Sequence, residues 1–276
     1  MIAVGELGRL IAPFGDAPAE SAVLLDVDGT LAPIVEDPAD AMVPAATREA
    51  LRSLVSGFGL VACISGRRAV EARRLVGVDE LTYAGNHGLE LLRPGEDAPS
   101  LDPALGGRGA AARDFLSELG ADSWRGAGLR LEDKGPIQAL HWRGATDEAA
   151  AERRAREIAS RASRVGLEAR WGRKVLELRP GSGVDKGTAV RRLLDGRGLT
   201  MALFAGDDRT DLDAFRALRS LAASGELRRA VCIGVASSEA PGELAQRADA
   251  LVAGPDELAE LLRAIAERAR AGGARG

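Results

Sequence analysis

Long apolar runs are missing from this sequence of 276 residues. No uninterrupted apolar stretch approaches the roughly 18 residues that a membrane-spanning helix needs, so no membrane partner is expected. The first 21 residues also lack the basic start and long apolar block of a secretory signal. The sequence therefore predicts a cytoplasmic protein.

Cysteine and histidine are also scarce, with two residues of each. Cys63 and Cys232 each lie inside an apolar run, which favours two small core residues over a disulfide or a reactive pair. His87 and His141 stand apart in the sequence, and a lone histidine is more often a structural residue than a ligand. Neither residue type offers the cluster that a zinc site requires.

Aromatic residues make up only 3% of the chain, whereas hydrophobic residues make up 46%, so the core must be mainly aliphatic. The formal net charge is −4, with acidic and basic residues interspersed. Without a basic stripe or interleaved aromatic residues, nucleic acid is not an expected partner. The length suffices for one or two domains, and we expect a monomer.

Several short apolar segments end at polar residues, and charged segments with helical periodicity separate them. This alternation predicts an α/β protein with a parallel sheet, in which each polar segment follows the carboxyl end of a strand. Ligands bind at that edge of such sheets. The three segments are 22–25 followed by Asp26 to Thr30, 60–64 followed by Ser65 to Arg67, and 201–205 followed by Gly206 to Asp211.

The middle of the chain has a different pattern. Residues 94–109 are rich in proline and glycine, and a second linker of this kind covers 180–183. Between them the sequence predicts the order αββαββ, a small α+β unit with helices on one face of an antiparallel sheet. We therefore expect residues 105–180 to form a domain inserted into another one, which consists of residues 1–104 and 181–276.

Carboxylates dominate the polar strand ends. If the first strand and the strand at 201–205 are neighbours, five aspartates converge, and they raise one another's pKa unless a cation is present. An all-oxygen ligand set suits Mg²⁺. Ser65, Lys186 and the backbone N–H groups of Gly29 and Thr30 suit a phosphoryl group. The aspartates are Asp26, Asp28, Asp207, Asp208 and Asp211.

These residue types indicate phosphoryl transfer. A carboxylate can attack phosphorus and form an aspartyl-phosphate, while a second carboxylate protonates the leaving alkoxide and later activates water. Mg²⁺ and Lys186 would offset the repulsion between nucleophile and phosphate. The simpler alternative for Asp28 and Gly29 is a solvated turn that closes an ordinary strand.

In their order along the chain, these motifs resemble those of the haloacid-dehalogenase-like phosphatases. The matching residues are Asp26 to Thr30, Ser65, Lys186 and Gly206 to Asp208. The resemblance implies a Rossmann-like parallel-sheet core with an inserted α+β cap domain, Asp26 as the nucleophile and Asp28 as the general acid/base. It also implies Mg²⁺ held by Asp26, the backbone carbonyl of Asp28 and Asp207, with Asp208 supporting its water ligands.

At finer detail the sequence resembles the trehalose-6-phosphate phosphatases over nearly its whole length. Matching segments include Gly85 to Glu90, Glu132 to Gly135, Leu140 to Arg143 and Lys174 to Pro180. The resemblance implies hydrolysis of trehalose 6-phosphate, a step in trehalose biosynthesis. It implies sugar contacts from Glu132, Lys134, Arg143 and Glu177 on the cap, and a place near the domain junction for Asn86 and His87. Further implied substrate contacts are Gly29, Thr30, Gly66, Arg67, Lys174 and Asp211.

Two positions depart from the family pattern. Val27 stands where the family often has tyrosine, and Leu212 stands where glutamate usually follows the last aspartate. Other interpretations also stay open. Ser65 is an ordinary helix-cap residue, Arg67 and Asp211 can pair structurally, and the cap charges can be plain strand-surface residues. The function can also be that of another sugar phosphatase, of the sucrose- or glucosylglycerol-phosphate type, or of an inactive domain that partners a trehalose-6-phosphate synthase.

Overall fold

The computed structural model describes residues 4–35, 40–172, 174–237 and 240–273. The chain divides into two compact units. One consists of Met1–Ser100 and Val184–Gly276, and the other is Leu101–Gly183.

An eight-stranded sheet forms the centre of the first unit. Its strands are β1 (Ser21–Leu25), β2 (Leu60–Ile64), β3 (Thr82–Gly85), β4 (Glu90–Leu92), β5 (Ser100–Leu101), β10 (Met201–Gly206), β11 (Arg229–Val235) and β12 (Ala250–Val252). Their order is β12-β11-β10-β1-β2-β3-β4-β5. The pairs from β12 to β3 are parallel, and β4 runs antiparallel to β3.

Helices cover this sheet because its strands are apolar on both faces. Along β1, Val23 and Leu25 belong to one core layer, whereas Ala22 and Leu24 belong to another, as the alternation of side chains along a strand requires. All five residues of β1 are buried. The helices are α1 (Val4–Asp16), α2 (Ala45–Val55), α3 (Ala69–Val76), α7 (Lys186–Leu194), α8 (Asp211–Ala223), α9 (Gly242–Arg247) and α10 (Pro255–Gly273).

The segment after β3 reverses direction. Glu90–Leu92 forms β4, which runs antiparallel beside β3. The reversal occurs at Asn86 and His87, whose φ angles of 50° and 58° are left-handed. α2 begins at Ala45, directly after Pro44, and Thr47 lies buried within this helix.

The second unit contains a separate antiparallel sheet. Its elements are α4 (Ala111–Leu119), α5 (Asp122–Arg125), β6 (Arg130–Asp133), β7 (Gln138–His141), α6 (Glu148–Arg164), β8 (Leu167–Gly172) and β9 (Val175–Pro180). The strand order is β6-β7-β9-β8. The core lies on one face, where Leu140, Leu176 and Leu178 pack with Ile158 and other buried side chains. The predicted order of helices and strands is confirmed, with α5 as one additional short helix.

Across the described ranges, no helix has both the length and the apolar character needed to cross a membrane.

Candidate active site

The expected adjacency of the two aspartate-bearing strands is confirmed. β1 pairs in parallel with β10, with Leu25 beside Ala205, and the N–H of Asp26 donates to the carbonyl of Ala205 at 2.9 Å. The segments that follow β1 and β10 therefore leave the sheet at the same edge. There, one carboxylate oxygen from each of Asp26, Asp207 and Asp211 lies within 4.8 Å of the other two.

Lys186 is the cation of this cluster. Its Nζ lies 2.7 Å from an oxygen of Asp26, 2.7 Å from an oxygen of Asp211 and 3.8 Å from Asp208 Oδ1. Only 2% of the lysine side chain is exposed. Burial would lower the pKa of Lys186, but the surrounding aspartates raise it well above its usual value, so the ammonium stays charged.

Asp211 is completely buried beneath the turn that follows β10. Its Oδ2 accepts the backbone N–H groups of Asp207 and Asp208 at 2.9 Å each, and its Oδ1 accepts from Lys186. The family resemblance implied a substrate contact for Asp211. These three bonds are instead to the protein itself, which favours a role in holding Lys186 and the Asp207 turn in place.

Asp207 and Asp208 are held by hydroxyl groups. Thr30 Oγ1 donates to Asp207 Oδ1 at 3.0 Å, and the side chain of Ser237 also hydrogen-bonds to Asp207. Asp208 Oδ1 accepts the N–H and the O–H of Thr210, both at 2.7 Å. These bonds fix both carboxylates before any ligand binds.

The pKa values of these aspartates diverge for physical reasons. Burial raises the pKa of Asp26 to about 8, against the opposing charge of Lys186, and raises the pKa of Asp207 to about 6. Burial also acts on Asp208, but Lys186 and the hydrogen bond from Thr210 overcome it and lower its pKa to about 2. At neutral pH Asp207 is therefore mainly ionised, whereas Asp26 is mainly protonated unless more positive charge is supplied.

Arg67 forms an ion pair with Asp28, the second aspartate of the first motif. Its Nε and Nη2 lie 2.8 and 2.6 Å from the two carboxylate oxygens of Asp28, a bidentate pair in which the Asp28 side chain is 41% exposed. The Arg67 N–H also donates to Ser65 Oγ at 3.1 Å. The structure therefore brings Asp28, Ser65 and Arg67 together.

Asn86 and His87 lie on the loop next to Ser65. The Asn86 N–H donates to the Arg67 carbonyl at 2.7 Å, and the His87 N–H donates to the Ser65 carbonyl at 2.8 Å. The His87 imidazole lies directly against Gly66, because a Cβ at Gly66 would be 2.8 Å from its Cε1. Gly66 thus leaves the space that the imidazole occupies.

Sequence reasoning gave no role to Glu90 or Ser237. Glu90 is buried beside the two loops, and Ser237 bonds to Asp207. Glu90 does carry a signal, since it interrupts the apolar run from Leu89 to Leu92. A serine just past a strand has no such signal.

The predicted sugar-contacting residues lie in the second unit. The register places Glu132, Ala139 and Glu177 in one row across β6, β7 and β9, on one face of the sheet. Lys134 Nζ lies 2.9 Å from Glu177 Oε1, and His141 Nε2 lies 2.7 Å from Glu132 Oε2. This face therefore carries the carboxylates of Glu132 and Glu177 together with the ammonium group of Lys134.

Lys174 and Arg143 interact with a different carboxylate. Lys174 Nζ lies 2.6 Å from Glu148 Oε2, and the positive charge of Arg143 also acts on Glu148. The pKa of Glu148 is lowered, chiefly by the hydrogen bond from Lys174. Glu148 is the first residue of α6, where negative charge is also favoured by the helix dipole.

Taken together, the parallel sheet, the carboxylates at its edge and the buried lysine have the arrangement of a haloacid-dehalogenase-like hydrolase. Such a hydrolase from Bacteroides thetaiotaomicron superposes with a TM-score of 0.64 at 15% identity, covering 88% of this chain and 93% of that chain. The C-terminal domain of the C. albicans trehalose-6-phosphate phosphatase superposes with a TM-score of 0.72 at 23% identity. The superposition covers 94% of this chain and 96% of that chain.

Sequence comparison identifies the family within this class. The family model described as trehalose-phosphatase matches residues 24–249. The chain is 34% identical over 267 residues to trehalose 6-phosphate phosphatase RA3 of Zea mays, covering 89% of this chain and 70% of that protein. It is 35% identical over 232 residues to a probable trehalose-phosphate phosphatase of Oryza sativa, covering 72% of this chain and only 59% of that protein. The chain belongs to the trehalose-phosphatase family.

Proposed function

We propose that this protein hydrolyses trehalose 6-phosphate to trehalose and phosphate, with Mg²⁺ as its cofactor. Membership of the trehalose-phosphatase family supports the substrate. The observation that carries the proposal is the buried cluster in which Lys186 bonds to Asp26 and Asp211 beside Asp207. An inactive scaffold has no need to keep such a costly cluster of buried charges.

The donor set fits a hard divalent cation. All its ligand atoms are oxygens, and burial holds the pKa of Asp26 and Asp207 above the usual range, so a cation would stabilise their ionised forms. Asp26, Asp207 and the Asp28 backbone carbonyl would hold Mg²⁺, with Asp208 supporting its water ligands. When bound, the cation supplies positive charge that attracts the phosphate and stabilises its transition state.

The residues of the site divide the chemistry between them. A carboxylate oxygen of Asp26 attacks phosphorus, so that an Asp26–phosphorus bond forms and the bond from phosphorus to the sugar oxygen breaks. Asp28 donates a proton to the departing oxygen and later removes a proton from the water that hydrolyses the aspartyl-phosphate. Lys186, Ser65 and the N–H group of Thr30 bind phosphate oxygens. The Gly29 N–H, which was expected to join them, instead donates to the Ala32 carbonyl at 2.8 Å.

The two units have separate proposed roles. Residues 1–104 and 181–276 form the catalytic core, and residues 105–180 form the domain that recognises the sugar. The charged groups of Glu132, Lys134 and Glu177 on one sheet face suit the hydroxyl groups of a disaccharide. Arg143 and Lys174 are further proposed sugar contacts, and a cytoplasmic monomer remains our prediction.

Asp26→Asn tests the proposal directly. The variant keeps the shape of the side chain but removes the nucleophile, so phosphate release from trehalose 6-phosphate should fall at least about a thousandfold. The measurement is phosphate release with and without Mg²⁺, and a cooperative thermal transition in the variant would show that it is folded. Release at the wild-type rate would end the covalent mechanism.

A panel of sugar phosphates distinguishes the alternatives. Preferential release from trehalose 6-phosphate supports the proposal, whereas preference for sucrose or glucosylglycerol phosphate identifies another sugar phosphatase. No release from any of them, with Mg²⁺ present, favours the inactive partner domain.

A further inference from the structure

Two neighbouring loops of the first unit are hydrogen-bonded to each other through their backbones. One loop follows β2 and carries Ser65 and Arg67, and the other follows β3 and carries Asn86 and His87. Their backbones are joined at two points, Asn86 to the Arg67 carbonyl at 2.7 Å and His87 to the Ser65 carbonyl at 2.8 Å. A shift of either loop therefore moves the other, together with the proposed phosphate-binding serine.

The second loop holds a strained backbone. Asn86 and His87 both have left-handed φ values, 50° and 58°, and Asn86 is completely buried. A non-glycine residue in this region is destabilised because its Cβ crowds the backbone. Such a conformation persists only where other contacts determine it, so something in this region must hold the loop.

Glu90 makes that contact. Its side chain is 2% exposed, its Oε2 accepts the backbone N–H of Ala69 at 2.9 Å, and it hydrogen-bonds to the side chain of Asn86. Ala69 is the first residue of α3, directly after the first loop, and Asn86 begins the second loop. One carboxylate on β4 therefore bonds to both loops.

The helix start explains why an acid occupies this position. The residue that should cap α3 is Arg68, and its side chain makes no capping hydrogen bond. Glu90 supplies the missing acceptor from another strand, and its negative charge favours the positive end of the helix. The Arg68 Nε lies 3.9 Å from Glu90 Oε1, which adds a weaker attraction.

A buried carboxylate here has a free-energy cost that an apolar residue would avoid. Burial raises the pKa of Glu90, and the hydrogen bond from Ala69 and the charge of Arg68 offset that rise only in part. β4 is otherwise apolar, with Leu91 and Leu92 buried beside Glu90. Leucine at this position would leave the Ala69 N–H without its side-chain acceptor, so the carboxylate serves the two loops to which it bonds.

We propose that Glu90 is a positioning residue, which sets the geometry of Ser65 and Arg67 by capping α3 and bonding Asn86. It does not touch the reacting atoms and acts through the two loops. The inference rests on the proposed phosphatase function, because it assigns Ser65 to the phosphate.

Glu90→Gln tests the inference, since glutamine has the same size but lacks the charge. We expect the inhibition constant for inorganic phosphate, measured against trehalose 6-phosphate with Mg²⁺, to rise about tenfold. KM should rise with it, and kcat should fall less than KM rises. Asn86→Gly removes the second bond while accepting the left-handed backbone, and it should raise the same constant by a smaller factor.

Tyr83→Phe is the matched control. Tyr83 lies on β3, and its hydroxyl donates to the Val78 carbonyl at 2.6 Å, away from the two loops, so the variant loses a buried hydrogen bond of similar kind. It should lower the unfolding temperature and leave phosphate inhibition unchanged. If Glu90→Gln and Asn86→Gly also lower only the unfolding temperature and keep the wild-type inhibition constant for phosphate, the inference is wrong.

Failure of the proposed function has a different result. If the wild-type protein releases no phosphate from any sugar phosphate, calorimetric titration with inorganic phosphate and Mg²⁺ replaces the inhibition measurement. A wild-type binding constant that weakens about tenfold in Glu90→Gln still supports the inference. Equal binding in both proteins overturns it.

Discussion

Gly29 occupies a position that accepts no side chain. Its φ of +79° lies in the left-handed region, and a Cβ placed there would collide with the carboxylate of Asp207. The motif therefore needs glycine for two independent reasons, one in the backbone and one in the space beside a proposed metal ligand.

Gly29→Ala should destabilise the protein by about 3 kcal/mol or more and weaken Mg²⁺ binding, because the methyl group displaces Asp207. Gly225→Ala is the control, since Gly225 has φ +82° but open space around its Cα. Gly225→Ala should lower the free energy of unfolding by only about 1 kcal/mol and leave the Mg²⁺ affinity unchanged. Denaturant unfolding measures the loss of stability, and calorimetry measures the loss of Mg²⁺ affinity. Equal losses of both in the two variants would contradict the steric argument.

At the scale of residues, sequence reasoning located the groups whose position follows from the end of a strand. Asp26, Asp207 and Ser65 each come directly after an apolar run, so their place in the sheet fixes their place in the cluster. The partners of Asp211 and the role of Glu90 depend on which loops meet in three dimensions. Local sequence does not contain that information.

Among the elements, α7 connects helix capping to the proposed chemistry. Asp185 caps it by accepting the Thr188 N–H at 2.8 Å, while the Thr188 hydroxyl accepts the Asp185 N–H at 2.8 Å. Lys186 is the first residue after this N-cap. The capping box therefore fixes the direction in which the lysine leaves the helix.

Asp185→Ala should cost about 1 kcal/mol of stability and also lower kcat at least tenfold, because Lys186 loses its fixed starting point. Asp147→Ala removes the corresponding cap of α6, where Asp147 accepts the Ala150 N–H at 2.8 Å. It should cost similar stability in its own unit without lowering kcat. Asp185→Asn, which keeps a capping oxygen, should restore most of the rate. A rate loss common to both alanine variants would show that stability alone is responsible.

Elements with strong periodicity were predicted well. In α7, from Lys186 to Leu194, the Asp185 cap and the buried residues Val190, Leu193 and Leu194 are features that the sequence alone displays. The turn from β3 into β4 is not readable from local sequence, because Asn86 and His87 can adopt the left-handed angles seen here but more often adopt others. Tertiary bonds, rather than local propensity, determine that turn.

For the molecule as a whole, buried acids link stability to pH and to the cation. Asp26 and Asp207 have pKa values of about 8 and about 6 in the folded protein, above the ordinary value of 3.8. The folded state therefore binds protons more tightly than the unfolded state between about pH 4 and pH 8. In the metal-free protein, the contribution of these two groups to the free energy of unfolding should therefore fall as the pH rises through that range.

Mg²⁺ should reverse this trend, because it binds the ionised carboxylates. Unfolding with EDTA at pH 5, 6, 7 and 8 should show decreasing stability, and saturating Mg²⁺ should add more at pH 8 than at pH 5. At a hundred times its dissociation constant, the ion adds about 2.7 kcal/mol. Asp26→Asn should flatten the pH dependence in EDTA. A wild-type protein more stable at pH 8 than at pH 5 in EDTA would contradict the prediction.

Two changes of composition in the sequence predict an inserted domain. The insertion was expected at residues 105–180, and the compact unit spans Leu101–Gly183. Proline and glycine clusters mark where a chain leaves one sheet and enters another, but they do not fix the residue at which packing changes. Neighbouring positions for β1 and β10 were the condition for the aspartate cluster and are confirmed, but polar strand ends alone do not determine the order β10-β1-β2.

The pairing of β1 with β10 has a consequence for synthesis. All of Leu101–Gly183 is translated after β1 and before β10, so the nascent chain carries the central strand without one of its two neighbours during that interval. The second unit, whose contacts are local, can fold while the ribosome is still producing the rest. Asp26 meets Lys186 and Asp207 only when that later segment emerges, so a prematurely terminated product lacks the complete charge cluster.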